Sequence, residues 1–293
     1  MRARILTLNV YNLEGDPRRQ EVINAELRRL SPDLVSLQEV VRTDEHDQLE
    51  ALLRGTDLHG THQADVLGYP MPWSERFGGT ALATRWPHRI VEVLDHRAEA
   101  DALQPWCTLA AVVEIPDAGE VLFVATTLNA SFAGAAARER EAVALTEIDD
   151  RHRRDLPTII AGDLNSVPES SSIRYLTGRQ ALEGRSAFFH DAWAVAGEGP
   201  GHTWTPENPL VSSLQDVIVR QPGGLPYRID YVLVGFVQHG AHAGSRCRIE
   251  EASVAFDQPV DGVWPSDHFG VLVDVDLGPD PSAAAALERL LSR

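Results

Sequence analysis

The segment from Arg4 to Glu39 most restricts what this chain can fold into. Ile5, Leu6, Leu8 and Val10, with Thr7 and Asn9 among them, read as a first strand. Asp16-Pro17 is a helix start, with Asp as N-cap and Pro in the first turn. Val22, Ile23, Leu27 and Leu30 then follow helical spacing until Ser31-Pro32-Asp33 stops them. Leu34-Val35-Ser36-Leu37 is the next strand and runs into Gln38-Glu39. A strand–helix–strand unit closes as a right-handed parallel crossover, which brings both strand ends to one edge of a sheet. Asn9 and Glu39 are therefore delivered to a common edge.

The rest of the chain extends this pattern. A helix is expected over Asp44 to Leu53. Thr61 to Phe77 reads as a loop, and its Tyr69, Met71 and Trp73 form either a pocket wall or a small surface cluster. Gly78 to Arg85 reads as a strand closed by Trp86-Pro87. Trp106 to Ile115 and Val121 to Thr127 read as a hairpin through Pro116-Asp117-Ala118-Gly119. Ala133 to Arg153 is helical in composition, and the charge run from Asp149 to Arg154 is a solvated face.

Next, Pro157 opens Thr158-Ile159-Ile160-Ala161, a buried strand that ends in Gly162-Asp163-Leu164-Asn165. If the extended geometry continues, Asp163 and Asn165 share one side. Ser170 to Leu176 is a short helix, and Gly197 to Tyr227 is a long loop of the kind that is functional or disordered. Arg228 to Val234 and Phe269 to Val275 are strands. No linker or repeat divides the chain, so one domain is expected over 1–293, with a core over about 4–276 and a tail helix over about 279–293.

Charge narrows the partners. The net charge is −17, and all 26 basic residues are Arg, which reads as coding bias. Phosphate neutralisation dominates non-specific DNA binding, so this balance disfavours nucleic acid as a partner. It favours a metal, or a small substrate that arrives with one. Cys107 and Cys247 have neither metal-ligand nor disulfide-framework spacing, which fits a reducing compartment. No run approaches the roughly 18 apolar residues of a transmembrane helix. A cytoplasmic monomer is the expectation.

Polar residues stand at the mouths of at least five expected strands: Asn9, Glu39, Asp163, Asn165, Asp230, Asp267 and His268. Taken singly each has a bland explanation, since Asp230 can cap a turn and His268 can be a satisfied core histidine. Their convergence resembles a site built on one edge of a scaffold. Glu39, with Asn9 or Asp267, has the oxygen donors a hard divalent cation wants. The missing Cys/His cluster argues against a zinc finger. Asp230 can fix the tautomer of His268 and keep the ring protonated, while Asp163 takes a proton from water.

LNVYN, LQE, GDLN, RIDYVLV and SDH, in this order, resemble the endonuclease/exonuclease/phosphatase family over about Ile5 to Asp274. The resemblance implies a four-layer α/β/β/α sandwich of two mixed sheets flanked by helices. It also implies Mg²⁺- or Mn²⁺-dependent phosphoester hydrolysis. By position it gives Asn9 and Glu39 metal-site roles, Asp163 the role of water-activating base and Asn165 that of a phosphate or water ligand. Asp230 becomes the orienter of His268, and Asp267 a metal or water ligand. One block departs from the pattern. Where the family shows Asn-Thr-His-Leu, this chain has Ala125-Thr126-Thr127-Leu128-Asn129, so Thr127 stands at the histidine position. A threonine donates a hydrogen bond but no proton at neutral pH. Thr127 and Asn129 are thus candidate substrate contacts, and His202 is the candidate stand-in acid.

The leading expectation is hydrolysis of a small phosphate ester or lipid headgroup. A nuclease of the same chemistry is the alternative, and a binding protein on a retired hydrolase fold ranks below both.

Overall fold

The computed structural model describes residues 1–67, 78–96, 106–212, 224–236 and 245–282, with 285 and 289. Its first half runs β1 (Arg2–Asn9), α1 (Arg19–Leu30), β2 (Leu34–Val40), α2 (Gln48–Leu53), β3 (His59–His62), α3 (Gln63–Leu67), β4 (Gly79–Thr84), β5 (His88–Asp95), β6 (Cys107–Ile115) and β7 (Gly119–Thr127). Then come α4 (Ala135–His152), β8 (Ile159–Asp163), α5 (Ser171–Leu176), β9 (Phe189–Asp191), α6 (Ala192–Ala196), β10 (Asp230–Gly235), β11 (Ser245–Ala255) and β12 (Gly270–Pro279).

The strands form two six-stranded sheets, ordered β11-β12-β1-β2-β4-β3 and β5-β6-β7-β8-β10-β9. Each sheet has one parallel pair at its centre, β1 with β2 and β7 with β8, and its other pairings are antiparallel. Each parallel pair is bridged by a long helix, α1 or α4, as a parallel crossover requires. The two sheets therefore share one plan of strand directions.

Side-chain alternation explains the layers. On β1, Ile5 points to the seam between the sheets, while Leu6 and Leu8 pack outward with Ile23 and Leu27 of α1. On β8, Ile159 and Ala161 enter the seam, while Ile160 packs outward with Leu145 and Ile148 of α4. The result is the expected four-layer α/β/β/α sandwich with three apolar layers. Polar links also cross the seam. Ser36 Oγ donates to the Ala161 carbonyl at 2.8 Å, and the Thr80 and Thr127 hydroxyls meet at 3.0 Å.

Several element boundaries differ from the sequence reading. The helix expected from Asp16 begins at Arg19, because Asp16 Oδ1 accepts the backbone N–H of Arg18 and closes a turn instead. The helix expected from Asp44 begins at Gln48, where Asp47 caps the N–H of Glu50. Thr61 to Phe77 is not all loop, since β3 reaches His62 and α3 follows; residues 68–77, with Tyr69, Met71 and Trp73, lie outside the described residues. Strands β5, β9 and β11 have no counterpart in the sequence reading. The expected tail helix falls largely outside the described residues.

Candidate active site

The same alternation that builds the seam also builds the site at its end. Asn9 follows Ile5 and Thr7 on the inward face of β1, and Asp163 follows Ile159 and Ala161 on the inward face of β8. They meet across the seam, where Asn9 Nδ2 donates to Asp163 Oδ2 at 3.2 Å. Asp230 opens β10, whose antiparallel register sets it opposite Asp163. The start of one strand and the end of its neighbour thus place two carboxylates side by side.

Glu39 arrives by a different route. Alternation along β2 would send it outward with Leu37. The ladder with β4 shifts register between Leu37 and Val40, and Glu39 takes a φ of +58°. Bulges of this kind re-aim a side chain. Glu39 Oε1 accepts from Asn9 Nδ2 at 3.2 Å, and Oε2 accepts from Asn12 Nδ2 at 3.1 Å.

Asn165 also departs from simple extension. It is left-handed, with φ +47°, so the strand geometry stops before it. Its N–H donates to Asp163 Oδ1 at 2.9 Å, and Nδ2 donates to the Leu128 carbonyl at 3.0 Å. The glycine before Asp163 is required by packing, since a Cβ on Gly162 would lie 1.9 Å from the Thr126 carbonyl oxygen.

The segment around Asp267 is pinned from several sides. Ser266 Oγ donates to the Asn9 carbonyl at 2.6 Å, and Asn208 Nδ2 donates to the Ser266 carbonyl at 2.8 Å. The buried Arg19 guanidinium bonds the carbonyls of Val10, Tyr11, Asn12 and Glu14 and, at 2.6 Å, that of Pro265. Helix α1 thereby ties the end of β1 to this loop. Thr203 Oγ1 accepts the N–H groups of Ile229 and Asp230. The long loop thus positions the site, even though its own side chains here are largely supporting ones.

His268 Nδ1 lies 3.0 Å from Asp230 Oδ2, and Nε2 lies 4.0 Å from Asp163 Oδ2. Burial pushes the ring toward neutrality, but Asp230, Asp267 and Asp163 outweigh it and hold His268 well above the usual histidine range. The acids move upward. Burial, then Asp230, pushes Asp163 up to about 7, and burial, then Asp267, pushes Glu39 up to about 8. Burial also raises Asp267. Four carboxylates thus share this corner, and three of them hold protons far more tightly than in water. Asp230 Oδ1 is buried with no hydrogen-bond partner.

These groups open into a cavity of about 550 Å³. Its lining includes Glu39, Asp163, Asn165, Asp267 and His268, with Tyr11, Asn12 and Glu14. The lining also includes the apolar and aromatic residues Trp106, Phe132, Val167, Trp204, Tyr227 and Ile229, with Ser131, Ser170 and Arg138. Trp204 stacks on Tyr227 at 6.1 Å, and Phe132 lies 6.4 Å from Trp204.

The other three expected contacts stand back from the cavity lining. Thr127 is buried and bonded to Thr80. Asn129 accepts the Ser131 N–H and shapes the following turn. His202 is half-buried beside Thr203. Sequence reading overlooks Arg19 and Arg138. Both are arginines on helices, where the default expectation is a solvated face.

A model of the Endonuclease/Exonuclease/phosphatase family matches residues 6–268. No curated protein matches the chain. Among solved structures, D. rerio TDP2 complexed with single strand DNA product superposes with a TM-score of 0.70 at 17% identity, covering 94% of this chain and 99% of that one. The human Nocturnin catalytic domain with bound sulfate anion gives 0.62 at 17% identity, covering 94% and 93%. An endonuclease/exonuclease/phosphatase family protein from Leptotrichia buccalis C-1013-b gives 0.65 at 16% identity, covering 94% and 99%.

Proposed function

Since the chain belongs to the endonuclease/exonuclease/phosphatase family, whose members are divalent-metal-dependent phosphoester hydrolases, we propose that this site hydrolyses a small phosphate ester or lipid headgroup. The observation that carries this reading is that acidic and aromatic groups line one cavity together. The polar groups suit phosphoryl chemistry, and the aromatic cluster suits the organic part of a compact ester.

The donor set fits a hard divalent cation. It is all oxygen on the Glu39 side, and the raised Glu39 and Asp267 carboxylates would be relieved by positive charge. Glu39, with Asn9 or Asp267, would hold it, Mg²⁺ or Mn²⁺ by donor type. Asp163, Asp230 and His268 also lie close enough to share an ion. Yet a protonated imidazole offers no lone pair, so His268 acts as a cation rather than as a ligand. When bound, the metal neutralises charge on the phosphoryl oxygens.

The chain's own groups do the rest. Asp163, poised near neutrality, takes the proton of the attacking water. Asn165 holds the phosphate beside it. His268, oriented by Asp230, presents Nε2–H to the charge that develops on phosphorus oxygens. A cation held by Glu39 would add to the charge that the His268 imidazolium supplies there. Thr127 supplies no proton, so the reading favours esters with good leaving groups. A cytoplasmic monomer is part of the same proposal. For the described residues, no helix is long and apolar enough to cross a membrane.

The test is a screen of phosphodiesters and monoesters with Mg²⁺ and Mn²⁺ and an EDTA control. Metal-dependent turnover of a small ester, abolished by EDTA, is expected. No turnover of any ester would remove the reading and favour a binding role. A second reading, nuclease, is favoured by the DNA product held by the structurally similar D. rerio protein. Plasmid nicking at low salt that matches or exceeds the best small ester would put this reading first.

A further inference from the structure

We propose that Arg138 is a substrate-binding residue that grips a non-bridging oxygen of the phosphate being hydrolysed. The proposal rests on the hydrolase reading above. Arg138 lies in the first turn of α4, is 9% exposed, and lines the cavity. Its Nη1 donates to the carbonyls of Asn129 at 2.8 Å and Ser131 at 2.6 Å. Those bonds fix the plane of the guanidinium. They leave Nε and Nη2 without a hydrogen bond among the described residues, and no carboxylate there pairs with Arg138 at ion-pair distance. Burial disfavours this guanidinium, Glu141 and Asp163 offset that only through space, and an anion on the two remaining nitrogens would complete it.

Its position says which anion. Consecutive carbonyls hold two cavity-lining groups. Leu128 O accepts from Asn165 Nδ2, and Asn129 O accepts from Arg138 Nη1. Arg138 is thus anchored on the same short segment as Asn165, and the fields of Glu141, one turn on along α4, and then of Asp163 reach it. Leu128 and Asn129 directly follow Thr127, the position that carries neither charge nor proton. Arg138 therefore restores at this corner the positive charge that the threonine lacks. A guanidinium fork also matches the geometry of two phosphate oxygens better than a point charge does.

The competing role is structural, a clamp on the 129–131 turn. Two chemically matched substrates separate the two roles. Bis(p-nitrophenyl) phosphate has an anionic non-bridging oxygen, while bis(p-nitrophenyl) methylphosphonate is neutral at phosphorus. With the metal-loaded protein, Arg138→Ala should lower kcat/KM for the phosphate by roughly thirty-fold. Turnover of the methylphosphonate should stay within about threefold. Arg138→Lys should recover part of the loss and stands in if the alanine variant does not fold. Equal losses on both substrates, or no loss on the phosphate, would overturn the assignment while leaving the hydrolase reading intact. No metal-dependent turnover by the unaltered protein would overturn both.

Discussion

Asp163 carries the most specific demand of any single residue. It must be ionised to accept a proton, yet burial and the facing Asp230 push it up to about 7. In the cation-free protein, Asp163 therefore keeps its proton to a higher pH than a solvated carboxylate does. The proposed reaction should gain rate as pH rises through about 7, because the base form grows. A bound cation shifts that limb toward acid. Asp163→Asn should cost about a thousand-fold in kcat with the fold retained, as judged by circular dichroism. A loss confined to KM would instead make Asp163 a binding group. Asp163 is readable in the sequence because Gly-Asp-Leu-Asn ends a strand whose period puts the acid inward. Asn165 is only half readable: its residue type is informative, but its left-handed turn is not. Arg138 is illegible, because nothing in AAARERE shows which arginine turns inward until α4 docks on its sheet.

At the scale of elements, the path of Glu39 shows how much rests on one irregularity. A regular β2 would send Glu39 away from the cavity, and the bulge reverses that. Gly78 sits against the bulge. A Cβ there would lie 2.3 Å from the Glu39 carbonyl carbon, and its φ of +64° also disfavours a side chain. Gly78→Ala should displace Glu39 without touching any catalytic group. The expected outcome is a loss of metal affinity of at least about tenfold by isothermal titration, with about 2 kcal/mol lost in chemical unfolding. Unchanged metal affinity would separate Glu39 from the cation. Sequence reading reaches strands with a regular alternation, such as β1, or a near-continuous apolar run, such as β6, β7 and β8. It misses β5 and β11, which are partly exposed and carry bulges between Ile90 and Glu92 and between Ile249 and Glu251, so that their alternation slips. It misses β9 because three residues are too few for a period to show.

At the scale of the whole molecule, two sheets of like plan meet face to face across a seam, and the seam ends in four acids and one histidine. The price is electrostatic and has a definite sign. Glu39 rises to about 8, Asp163 to about 7, Asp267 rises, and His268 is held well above its usual range. Each folded-state value exceeds the unfolded one, so the folded protein keeps protons that the unfolded chain has released. Their stabilising effect is fully present below the unfolded values and is lost as pH climbs to the folded ones. Most other shifted groups act outside the upper part of this window. Asp16, Asp274, Asp276 and Glu92 are lowered, and their effect is complete above about pH 5. His62, His88 and His190 are lowered mainly by burial, and their effect is complete once pH exceeds the usual histidine value by about one unit. Between about pH 7.5 and 8.5 the site acts together with the Cys247 thiol, which burial, then Asp276, raises and whose effect begins to be lost at the top of this interval in the same direction. In EDTA the Tm should fall by about 5 °C across that interval. A bound divalent cation displaces the same protons, so saturating Mg²⁺ should raise Tm more at the upper end than at the lower. Differential scanning calorimetry at several pH values, with and without the cation, measures both trends. A flat profile in EDTA would show that the acids do not hold their protons. A cation effect independent of pH would place the ion away from Glu39 and Asp267.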